Sequence, residues 1–163
     1  MSRGLAALAV LALVAGAGAC KEPDPAKYRV DVVFPSTAMA IATEDVRFIV
    51  YDDPEPGSCQ RIYLKHITNQ SDLPPVVSET KTIPVCELAF GRPPTIELPV
   101  GKRYSVLAIA LRGGEDLLVG CADVAVSSDD GELSIYVGLP GTTPLPPIDS
   151  CTSFEDSCFN RCK

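Results

Sequence analysis

One histidine, seven cysteines and two runs of loop carboxylates are the side chains of this 163-residue chain from which chemistry can be built. A Ser-His-Asp or Cys-His site would have to use His66, the only histidine. No Gly-x-Ser-x-Gly elbow presents a nucleophile to it. A dithiol redox role would fall on Cys158 and Cys162. Three residues separate them, whereas the redox motif has two, which keeps both thiols within one helical turn. Zinc would want a closely spaced cysteine pair, and there is no Cys-x2-Cys. Calcium takes several hard oxygens at about 2.3–2.6 Å. Two turns offer them: Asp52, Asp53 and Glu55 in one, Asp129, Asp130 and Glu132 in the other. Neither has EF-hand spacing, and such residues are also the ordinary ones of turns. The expectation is a protein that is not an enzyme and holds no cofactor, with the acidic turns as its calcium candidates.

The cysteines are better explained by export. Arg3 is followed by an unbroken run of Leu, Ala, Val and Gly over 5–19. That run suits a signal peptide and falls short of the about 20 apolar residues that span a bilayer. It ends Ala17-Gly18-Ala19-Cys20, which resembles a lipobox, the site where a cysteine is diacylated and becomes the first residue after cleavage. Lipidation of Cys20 leaves Cys59, Cys86, Cys121, Cys151, Cys158 and Cys162, enough for three disulfides among 15 possible pairings. Three of these lie in the body and three in the last thirteen residues. Full pairing therefore forces an odd number of bridges between tail and body. Cys59 and Cys86 flank a polar excursion that a bridge would clamp. Cys121 is then the expected partner of a tail cysteine.

Residues 28–34 and 44–52 alternate apolar and polar, the period of a half-buried strand. Residues 36–43 read as a crossing loop, an edge strand or a helical turn. In 58–68, Cys59, Ile62, Tyr63, His66 and Ile67 form one helical stripe, with Ser58 as cap. Residues 69–81 are polar with Pro74-Pro75 and read as a loop, and 82–90 is a short apolar stretch around Cys86. Strands follow at 95–98, 104–112, 117–126 and 133–139, joined by turns too short for a parallel crossover. The Pro-rich stretch after Leu139 should be extended. The expected organisation is a signal peptide at 1–19, a lipidated cysteine and tether at 20–27, one domain at 28–139, and a disulfide-stapled tail at 140–163.

About seven short strands with frequent turns imply an all-β fold, an antiparallel β-sandwich with one short helix. Leu98, Pro99, Gly101 and Tyr104, followed by an alternating strand, a Gly hairpin and a second strand, resemble the C-terminal half of transthyretin-like and carboxypeptidase-regulatory-like sandwiches. The pattern from VVFPSTAMAIATEDVRFIVYDD to the final CxxxC is similar to a group of bacterial lipoproteins, and it implies no activity. Net charge is −7, so phosphate backbones are repelled and nucleic acid is a poor partner. The chain has no Trp, and Phe34, Phe48, Tyr104 and Tyr136 read as core on strand faces rather than as a sugar platform. The functional expectation is a lipid-anchored envelope module that meets a protein partner. Lys21 after the cysteine points to the outer membrane of a Gram-negative bacterium. The alternative is a binding module for calcium, a peptide or a sugar.

Overall fold

The structure, a computed structural model, describes residues 24–53, 55–141, 151 and 153–161. The signal-peptide segment, Cys20, Cys162 and most of the Pro-rich run lie outside those residues. In chain order the elements are β1 (Ala26–Val33), α1 (Thr37–Ala42), β2 (Asp45–Asp52), α2 (Ser58–Ile67), β3 (Val76–Glu79), β4 (Ile83–Pro84), α3 (Val85–Phe90), β5 (Thr95–Leu98), β6 (Arg103–Arg112), β7 (Glu115–Ala125), β8 (Gly131–Gly138) and α4 (Phe154–Cys158).

The β-rich expectation holds, but the sheet is mixed where an antiparallel sandwich was expected. One curled sheet runs β3-β2-β6-β7-β8-β1-β5, with β4 paired to the start of β2. Every pairing is antiparallel except β1 with β8, which run parallel from Tyr28–Gly131 to Val33–Tyr136. Short turns force antiparallel neighbours only between consecutive strands. The first and last strands have the whole domain between them and are free of that rule. The described residues contain eight strands and four helices, rather than about seven strands and one helix. The 69–81 loop holds β3, which pairs with Ile49, Val50 and Tyr51. All four β3 residues are exposed, so no apolar alternation marks the strand.

Curling brings the faces of the sheet around one core. Val30 and Val32 of β1, Ile96 and Leu98 of β5, and Ile135 and Val137 of β8 meet Phe48 of β2, Val106 of β6 and Leu118 of β7. A second cluster lies on the opposite face of β2-β6-β7, where Ile62 of α2 packs on Ile49, Leu107, Ile109 and Val119. Strand β6 is thus buried on both faces, which accounts for the continuous apolar run YSVLAIAL. The helix expected at 58–68 is α2. Its cap is Gly57, in the left-handed region at φ 77°, and not Ser58, whose hydroxyl donates to the Glu55 carbonyl.

The curl turns on Gly120. A Cβ built there would lie 2.2 Å from the Tyr136 carbonyl oxygen and 2.9 Å from the Val137 Cα. Only a residue with no side chain lets β8 cross β7 this closely. Past this point the strands part: their ladder consists of Val119–Gly138 and Gly120–Val137. Gly120→Ala should cost about 3 kcal/mol, because backbone and not a flexible side chain must move. Gly138→Ala, at a glycine with open space around its Cβ direction, should be near neutral. Urea denaturation of both variants checks this, and equal stabilities would contradict it.

Candidate functional site

Helix α2 is fastened to β7 at both ends. Near its N-terminus Cys59 is bonded to Cys121 with Cα atoms 5.5 Å apart, and the Cys59 N–H donates to Asp123 Oδ1 at 3.2 Å. The same oxygen accepts the Ser105 hydroxyl at 2.6 Å. Near the C-terminus His66 Nε2 lies 2.8 Å from Asp116 Oδ2. Asp116 also faces Arg47 at 3.8 Å, and Arg47 reaches Glu79 at 3.4 Å. His66 is therefore a tie between helix and sheet within a network of carboxylates and one guanidinium.

The cysteine pairing corrects the expected one. Cys121 meets Cys59, not the tail, and Cys86 meets Cys158, not Cys59. The reason is strand parity. Cys121 shares the face of Val119, the face α2 covers, so the helix stripe containing Cys59 lies over it. Cys86 sits on α3 beside α4, where Phe90 packs on Phe154 and Phe159 at centroid distances of 5.9 and 5.6 Å. The expected bridge between tail and body is present as Cys86–Cys158. Cys151 is disulfide-bonded as well.

The acidic turns hold cations of the chain itself. Asp53, with its side chain 8% exposed, accepts Arg61 Nη2 at 2.9 Å, and Glu55 takes Arg61 Nη1 at 2.9 Å. Burial pushes the Asp53 carboxyl up, but the Glu55 N–H, Arg61 and Ser58 outweigh it and hold the group below its ordinary value. Asp52 faces Lys102 at 3.4 Å. In the second turn Asp130 accepts the Lys27 N–H at 2.8 Å and Glu132 pairs with Arg29 at 3.0 Å, while Asp129 is exposed. Strand register puts both turns at one end of the sheet, with β6 and β7 between them. No group of three or more His, Cys, Asp or Glu among the described residues is arranged to hold a metal.

A cavity of about 620 Å³ opens where β8 leaves β7, under the first turn of α2. Its walls include Cys59, Gln60, Tyr63, Asp123, Tyr136 and Val137. Sequence reasoning missed this slot and placed Tyr136 in the core. Tyr136 is 74% exposed, because Leu133, Ile135 and Val137 take the inward positions of β8. Two signals were available: a glycine inside an apolar strand, and the parity of LSIYVGL. Comparison with protein-family models, with curated proteins and with solved structures gives no match.

Two outcomes follow. Replacing Cys86 and Cys158 together by Ser frees a closure spanning 72 residues. It should cost about 4 kcal/mol in the chain-entropy model, and limited proteolysis should release the C-terminal peptide. The lowered Asp53 value contributes stability that is present above its unfolded value, near 3.8, and is lost as pH falls through the lower folded value. Asp53→Asn should be less stable than the parent at pH 6, and the difference should close as pH falls through the lowered folded value. A gap that persists in acid would assign the effect to something other than this carboxylate.

Proposed function

We propose that the chain is an exported, lipid-anchored module of the cell envelope, held to the outer membrane through Cys20, that binds a protein partner without catalysing a reaction. The observation that carries this is the disulfide framework. Cys59, Cys86, Cys121, Cys151 and Cys158 are all bonded. Structural disulfides belong to oxidising compartments, which agrees with the apolar leader and gives Cys20 a separate role. The reading also takes β5-β1-β8 and β3-β2-β6-β7 as the two layers of a transthyretin-like sandwich, supported by the core they share.

The anchor limits how the domain presents itself. Strand β1 begins at Ala26, six residues beyond Cys20, a reach of at most about 20 Å when extended. The start of β1 therefore stays close to the bilayer. The slot beside α2 is the feature suited to a partner, because it combines apolar walls with a few placed polar groups.

Mass spectrometry of the purified chain should find an acylated N-terminal Cys20. Fractionation should move Cys20→Ser out of the membrane pellet or leave it unprocessed. A Cys20 found in a disulfide, or a wild-type chain recovered wholly in the soluble fraction, would sink this reading.

A further inference from the structure

We propose that β7 beyond Gly120 is a strand-addition site, and that it takes an extended peptide segment carrying a basic side chain. This rests on the interaction-module reading and names the class of partner. Backbone parity locates the open edge. Val126 makes both of its backbone bonds on the β6 side, donating to the Lys102 carbonyl at 2.9 Å and accepting the Gly101 N–H at 3.0 Å. In a regular antiparallel ladder the direction alternates, so Val124 and Ala122 also face β6. Cys121, Asp123 and Ala125 then turn their N–H and C=O groups the other way. The β7–β8 ladder ends at Gly120–Val137, where the same parity gives the Cys121 N–H to the Tyr136 carbonyl, and it reaches neither Asp123 nor Ala125. Asp123 and Ala125, two alternate residues, thus turn donors and acceptors along one side of the slot where no described strand pairs with them, the arrangement by which an extended chain adds to a sheet.

The side chains of the slot favour one kind of guest. Among the described residues lining it Asp123 is the single charged one, and the chain as a whole carries −7. A charge on an edge strand commonly guards against pairing. Here Asp123 Oδ1 is turned to Ser105 and the Cys59 N–H, so this side chain does not cover the strand backbone. Oδ2 has no hydrogen-bond partner among the described residues. Tyr63 and Tyr136 flank the slot, and their rings suit the aliphatic stem and charged head of a Lys or Arg bound for Asp123.

The test uses the full disulfide-bonded chain in detergent and a labelled nonapeptide of alternating Thr and Val with a central Lys. Fluorescence anisotropy should detect binding. N-methylating one alternate set of peptide amides should weaken it at least tenfold, and the other set should have little effect, because one edge pairs with β7. Ala125→Pro removes one edge donor that β6 does not use. It should keep the parent melting temperature and lose at least tenfold in affinity. Asp123→Asn should remove the preference for the Lys peptide over one with a central Glu. Absence of binding, equal effects of the two methylated sets, or undiminished binding by Ala125→Pro would overturn the proposal. So would a wild-type dimer that Ala125→Pro dissolves, since the edge would then belong to a second copy. If Ala125→Pro fails to fold, the methylated peptides still decide. Membrane recovery and acylation of Cys20 do not depend on Ala125, so failure here is separable from failure of the anchored-module reading.

Discussion

The carbonyl oxygen of Tyr136 occupies the space that a side chain on residue 120 would need. That contact sets the path of β8. With Gly120 in place, β8, which first runs as the parallel neighbour of β1, crosses close over β7 and pairs with it only at Val137 and Gly138. The sheet can then curl far enough for Val30, Ile96 and Ile135 to share a core with Phe48, Val106 and Leu118. The same short pairing uncovers the β7 edge and opens the slot. Closure of the core and the candidate binding surface thus have one origin.

The outer face of the sheet is finished by α2. Ile62 is fully buried against β2, β6 and β7, while the Cys59–Cys121 bond and the His66–Asp116 pair hold the two ends of the helix. These ties place Tyr63 and Gln60 beside the slot. A side chain on a helix held in this way loses little freedom when a partner binds, which favours affinity. At the other disulfide, Cys86–Cys158, the tail is joined to α3 under a small cluster of Phe90, Phe154 and Phe159.

Much of the fold was legible in local pattern. The alternation in YRVDVVF and EDVRFIVYD located β1 and β2, and the stripe from Cys59 to Ile67 located α2. Strands β5 to β8 fell within two residues of their expected limits. What local pattern did not carry was pairing between distant segments. Nothing in the turns reveals that β1 and β8 run side by side, and β3 has no buried face to give it a period. The disulfides failed for a narrower reason. The parity of Cys121 with Val119 and the helix stripe through Cys59 were each visible, and only together do they name the bond. The slot depends on a close approach between two backbones, which a sequence marks only by a glycine within a strand.

Amide hydrogen exchange along β7 tests the open edge most directly. The account predicts an alternating pattern: Ala122 and Val124, bonded to β6, exchange slowly, while Asp123 and Ala125 exchange fast. Uniformly slow exchange from Ala122 to Ala125 would contradict it, because a ladder on the second side would then already be in place.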